Sequence, residues 1–200
     1  MPEYAVPTPK RRGRPRGGSD ARDRIIAAAI SEFGDLGYDA ATMRGIATRA
    51  DVDSALLHHY YGTKADLFTA VTDIPIRPDV DIPALLAADR SDFGRHIVRY
   101  VLGQWEKPEV RRRGVVLVRA AIGNRMTTPL LAGFLSRELL GRVAAQLDVP
   151  DAELRAGLVA SQMAGLLVTR YVLELRSVAD ASVDDLVERI GPTVQRYLFD

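Results

Sequence analysis

The sequence predicts an all-α chain, and three features carry that prediction. Apolar residues recur at helical spacing from Ile25 onward, no stretch alternates as a strand would, and helix-capping residues stand where the apolar stripes begin. With 200 residues and 47% apolar side chains, the chain is long enough for a small domain followed by a medium one.

Residues 1–18 carry Pro2, Pro7, Pro9 and Pro15 and no apolar periodicity, so they read as a disordered arm. Lys10, Arg11, Arg12, Arg14 and Arg16 face only Glu3 there, which makes the arm basic although the whole chain has a net charge of only +1. The run from Arg12 to Gly17 resembles an AT-hook. Two readings stand side by side: Arg12, Arg14 and Arg16 lying along a narrow minor groove, or a solvated basic tail holding phosphate without preference.

A first helix is expected over Asp20–Leu36, where Ile25, Ile26, Ala29, Ile30 and Phe33 form one stripe and Gly37 is the stop. Thr42–Lys64 then reads as helix-turn-helix. Thr42 suits an N-cap, Met43, Ile46 and Ala47 face Val52, Leu56 and Leu57, and the turn Ala50-Asp51-Val52 calls for a left-handed residue, which Asp tolerates. Asp53 caps the second helix, and Thr63 with Asp66 approximates a capping box for the next. Pro75, Pro78 and Pro83 argue against a continuous helix over 74–83 and mark a linker between domains at 19–73 and 84–200.

Helices are further expected over Ser91–Glu106, from Pro108 to about Asn124, over Thr128–Asp148, from Asp151 as cap to about Val178, and from Ser182 with a kink at Gly191-Pro192. Cysteine is absent, which excludes disulfides and thiolate chemistry. The arm has no apolar core like that of a secretory signal, and the longest apolar run, Gly157–Thr169, is interrupted by Gln162 and is shorter than the roughly 18 to 20 residues that span a bilayer. A soluble, cytoplasmic protein without membrane contact is expected. No nucleophile and base at workable spacing, phosphate loop or metal-ligand cluster is present, so neither an enzyme nor a cofactor is expected; His58 and His59 diverge by about 100° on a helix and do not make a metal pair.

The stretch Arg22–Val71 resembles the DNA-binding domain of the tetracycline-repressor (TetR) family of bacterial transcription regulators. The resemblance rests on Ile25 to Ala29 with Phe33, Gly37-Tyr38, Ala41-Thr42, Ile46-Ala47, Ala50, Val52, Tyr60-Tyr61 and Lys64 to Leu67. It implies that Ser54, Ala55 and His58 face base edges while Thr42, His59, Tyr60 and Lys64 hold phosphates; Arg44, near the start of its helix, suits either use. Asp53, Ala55 and His58 depart from the family's usual residues, so an operator preference of its own is expected.

The remainder resembles, through helix order and stretches such as Arg170 to Leu173, the family's C-terminal ligand-binding and dimerisation domain. That implies a homodimer on double-stranded operator DNA, a repressor role and an apolar small-molecule effector. Phe93, His96, Tyr100, Trp105, Met126, Phe134, Gln162 and Met163 are the candidates for lining a pocket, although each also reads as plain core. The small residues Ala144, Gly157, Ala160, Ala164 and Gly165 permit close helix approach, either across a two-fold axis or within one subunit. An effector-independent DNA-binding protein dominated by its arm is the competing function.

Overall fold

The computed structural model describes residues 17–87, 89–121 and 127–200, and Arg12, Arg14, Arg16 and Met126 lie outside them. Among the described residues there are helices and no strand. Helix α1 (Gly17–Ala40) buries Ala21, Ile25, Ala28, Ala29 and Phe33; of the expected stripe Ile26 is half-buried and Ile30 is 55% exposed, so the buried face is turned toward Ala21 and Ala28. Gly37, at φ 80 and ψ 170, breaks the helical backbone where the stop is expected, and a short kinked extension over 38–40 follows it.

Helices α2 (Met43–Ala50), α3 (Ser54–Tyr61) and α4 (Lys64–Thr72) fold against α1 around Phe33, Tyr38, Ile46, Leu57, Leu67 and Phe68. Phe68 meets Phe33 and Tyr38 edge-on at 5.0 and 4.9 Å between ring centroids. Phe134, from much later in the chain, completes this core, with centroids 4.9 Å from Phe68 and 5.5 Å from Tyr38.

The proline-rich stretch is not wholly a linker. Helix α5 (Pro78–Leu86) opens with Pro78 in its first turn, where no N–H is required, and carries Pro83 inside. Burial of Pro78, Ile82 and Leu85 offsets the one backbone bond that Pro83 cannot make.

A short 3-10 turn (Arg90–Asp92) leads into α6 (Phe93–Trp105), and α7 (Pro108–Ala121) follows. Helix α6 packs against the last helix, α12 (Val183–Phe199), around Val98, Leu102, Val187, Val194 and Leu198. A Cβ on Gly94 would stand 2.3 Å from the Gly191 carbonyl oxygen, so these helices approach backbone to backbone. The Gln195 side chain bridges them, accepting from Gly94 N–H at 2.7 Å and donating to the Arg90 carbonyl at 2.6 Å.

Two expected long helices are interrupted by wider turns. The helix expected over Thr128–Asp148 is α8 (Thr127–Phe134), a π-helical segment (Leu135–Leu140) and α9 (Gly141–Ala144). The one expected from Asp151 to Val178 is α10 (Ala152–Leu167), a second π segment (Val168–Val172), a break at Glu174 (φ 51) and α11 (Arg176–Ala179). Asp151 has φ 54 and makes no side-chain cap. Buried Arg170 dictates the second break: its guanidinium donates to the carbonyls of Val178 and Ala181 and to Glu106, which turns the chain back on itself. Ser182 caps α12 as its spacing predicts, and α12 continues through Gly191-Pro192 as one helix.

Candidate nucleic-acid interface and adjoining cavity

The helix-turn-helix is set by local chemistry. The Thr42 hydroxyl accepts from Gly45 N–H at 3.0 Å and opens α2; Asp51 closes it in the left-handed region at φ 52, ψ 52, with Val52 N–H returning to the Ala47 carbonyl. Asp53 then accepts from Ala55 N–H at 2.7 Å and opens α3. A Cβ on Gly45 would come within 2.3 Å of the buried Glu32 carboxylate, so α2 lies directly on α1 there. Glu32 and Asp35 hold Arg49 at 3.2 and 2.7 Å, clamping the far end of the same helix.

With Leu57 buried, α3 turns Ala55, His58 and His59 outward, with Ser54 half-buried at its start. His58 Nδ1 lies 2.7 Å from the Gly62 carbonyl, an acceptor only, so Nδ1 carries the proton and Nε2 points away from the helix. Arg44 is exposed and forms no ion pair among the described residues. The Thr42 hydroxyl accepts from the helix while its own hydrogen stays available to a phosphate. Tyr60 is half-buried with the Arg22 guanidinium 4.9 Å from its ring centre, and burial raises the neighbouring Tyr61 phenol above its ordinary range.

Lys64 departs from the expected phosphate contact. Its ammonium donates to the carbonyls of Tyr38, Ala41 and Asp39 at 2.8, 3.1 and 3.4 Å and sits 4.5 Å from the Tyr38 ring centre. These are the carbonyls left open at the end of α1, where a cation is favoured, and burial lowers the lysine's basicity. Lys64 is a clamp between α1 and α4, not an open point charge.

Beneath this unit lies a cavity of about 470 Å³ between α5, α6, α7, the first π segment and α10. Its walls are almost wholly apolar: Ile97, Val101 and Trp105 of α6, Leu117 and Val118 of α7, and Val159 and Met163 of α10 among them. Leu135, Leu139 and Leu140 of the π segment also line it. The same segment turns Glu138 and Arg137 the other way. The Tyr38 hydroxyl donates to Glu138 at 2.7 Å, and Arg137 pairs with Asp39 at 2.7 Å.

Two family models match this chain: bacterial regulatory proteins of the tetR family over residues 25–71, and the tetracyclin repressor-like C-terminal domain over residues 91–198. The chain belongs to the TetR family. It is a DNA-binding transcriptional regulator of that family. Over 53 residues it is 42% identical to the HTH-type transcriptional dual regulator CecR of Shigella flexneri, and over 49 residues 45% identical to the HTH-type transcriptional regulator BetI of Rhizobium meliloti. Those matches take in 26% and 24% of this chain and 23% and 24% of the relatives, so the chain spans about a quarter of their length. A TetR-family regulator of Streptomyces coelicolor is similar over 94% of this chain and 99% of its own, at 30% identity and a TM-score of 0.52.

Within this TetR-family fold the expected pocket residues divide. Tyr100, Trp105 and Met163 line the cavity. Phe93 packs beside Phe199 between α6 and α12, His96 reaches the Ala84 carbonyl at 2.7 Å, Gln162 is not in the wall, and Phe134 belongs to the DNA-binding domain's core. Of the expected dimer residues, Ala160 and Ala164 line the cavity and Ala144 is buried within the subunit. Around Gly157 and Gly165 nothing beyond the adjoining residues and backbone of their own helix lies within 4 Å of where a Cβ would stand. Asp81, Gln104 and the π-segment leucines are wall residues that sequence reasoning missed. No sequence signal marks them, because nothing local distinguishes a leucine facing a void from one facing a neighbour. No helix among the described residues is long and apolar enough to cross a membrane.

Proposed function

We propose that the chain is a homodimeric repressor that binds a palindromic double-stranded operator and releases it when a small apolar effector enters the cavity. The observation that carries this reading is the double attachment of the π segment Leu135–Leu140: leucines into the cavity, Glu138 and Arg137 onto the end of α1. Residues Tyr38–Ala41 also receive Lys64 of α4, and Thr42, the cap of α2, follows directly. A ligand that displaces the leucines therefore acts on the corner from which the DNA-reading helices start, and coupling requires that DNA and ligand favour different positions of it. π turns recur at functional sites because their extra residue gives a helix an alternative register.

The dimer is supported by the outward stripe of α10. Leu154 and Leu158, 65% and 39% exposed, continue through Ser161 to Gly165 at spacings that keep them on one side, an apolar face with small residues suited to a second helix. Base reading is assigned to Ser54, Ala55 and His58, with phosphate contacts from Thr42, His59, Tyr60 and Arg44. Arg12, Arg14 and Arg16 supply further attraction upstream.

A cavity-filling substitution tests the coupling without a known effector. Leu139→Trp is expected to weaken binding to an operator selected from random DNA by about tenfold while the protein stays dimeric. Unchanged affinity, with most binding lost instead on deleting residues 1–18, would favour an effector-independent protein dominated by its arm.

A further inference from the structure

The chemistry of the cavity wall restricts what the cavity admits. Asp81 is the only charged residue in its lining, and no Lys, Arg or His lines it among the described residues. One Asp81 oxygen accepts from the Tyr100 hydroxyl at 2.6 Å and the other from Arg77 N–H at 2.6 Å. The Arg77 guanidinium is turned to Asp79 instead, at 2.8 Å, and Asp81 forms no ion pair among the described residues. Gln104 stands in the same wall, its amide oxygen taken by Lys107 at 2.7 Å. The polar corner thus directs two donors at Asp81, and the charged group it places in the lining is an accepting carboxylate.

We propose that the cavity selects lipophilic cations: an apolar chain or ring system between α6, α7 and α10, with an ammonium set against Asp81 and the Tyr100 ring. This rests on the cavity being the effector site. An entering ligand strips water from a half-buried carboxylate that has hydrogen bonds but no direct ion pair among the described residues, the nearby Arg77 guanidinium being paired with Asp79. An ammonium offsets that desolvation, a neutral alcohol leaves it uncompensated, and a carboxylate adds like-charge repulsion. The rings of Tyr100 and Trp105 stand in the same wall, Tyr100 stacked on His96 and Trp105 on Tyr171 by one face each, and contact with a remaining face adds attraction for a cation and none for an anion.

The chain has one tryptophan, Trp105, and it stands in the wall, so its fluorescence reports occupancy of this cavity. Full-length protein is titrated, below the micelle threshold, with dodecylamine, dodecanol and dodecanoate, three ligands that share one chain and differ in charge. Dodecylamine is expected to bind at least about tenfold tighter than dodecanoate, with dodecanol between them. Asp81→Asn, which keeps an acceptor for Arg77 N–H, is expected to bring the amine-to-alcohol ratio close to one, and Asp81→Glu to retain the preference. Equal binding of all three, or a preference that survives Asp81→Asn, overturns the cation assignment and leaves the effector cavity standing. If none of the three perturbs Trp105, both readings fail. Circular dichroism of each variant separates loss of preference from loss of fold.

Discussion

The Tyr38 hydroxyl donates to the Glu138 carboxylate at 2.7 Å, joining residues 100 positions apart, with side chains buried on both sides of the boundary between the DNA-binding domain and the helical domain. Arg142 pairs with the other Glu138 oxygen at 2.6 Å, so the carboxylate is held from within its own helix as well. Removing the hydroxyl with Tyr38→Phe leaves Glu138 one donor short. We expect a loss of about 1–3 kcal/mol in stability by denaturant titration, and a weaker response of operator binding to cavity filling by Leu139→Trp. An unaltered response would show that this bond does not transmit the change.

Lys64→Ala follows from the clamp seen in the structure. Removing the ammonium reopens the carbonyls of Tyr38, Asp39 and Ala41. Thermal stability is therefore expected to fall while the slope of log affinity against log salt stays as in the wild type. A slope reduced by about one unit would instead make Lys64 a phosphate contact.

Gly45→Ala introduces a Cβ within 2.3 Å of the buried Glu32 carboxylate, which also holds Arg49. The side chain must move and release Arg49, or α2 must lift from α1. A destabilisation of about 1–3 kcal/mol is expected, with weakened DNA binding, measured by melting and by gel shift.

Much of this architecture is legible in the sequence, and the part that is not has a common cause. Thr42, Asp53, Thr63 and Ser182 cap the helices their spacing marks, because a cap depends on neighbours within three residues. The two π segments leave no such local mark. At Arg170 the break answers to Glu106, 64 residues away, and Glu138 answers to Tyr38, 100 residues away. Phe134 escapes the sequence for the same reason: its apolar stripe is correct, but whether it faces a void or the aromatic cluster of Tyr38 and Phe68 depends on tertiary placement. Trp105 and Tyr100 read as pocket residues from their place on α6, yet the acid that shapes their corner, Asp81, comes from a stretch that reads as linker.

Alkaline stability provides a further test. Burial and the bond to Glu106 push the Tyr171 phenol up to about 12 from its ordinary 10.0, and burial also raises Tyr38 and Tyr100. The folded state thus favours the protonated phenols. Their stabilisation is complete below about pH 10, the unfolded value, and is lost as pH rises through the folded values. Melting temperature is expected to hold to about pH 9 and to drop from about pH 10 upward, less steeply in Tyr171→Phe. An equally steep drop in that variant would show that Tyr171 does not set the alkaline limit.

Whether α3 reads bases across a two-fold axis is decided by selecting DNA from a random pool with the full-length protein and with His58→Ala. The wild type is expected to enrich a palindrome whose half-sites lie about one helical turn, or a multiple of it, apart. The variant is expected to show relaxed preference at symmetric positions, at a cost of about 1–3 kcal/mol per half-site. A single unrepeated site, no enrichment, or a variant weakened equally on every sequence would contradict this use of α3.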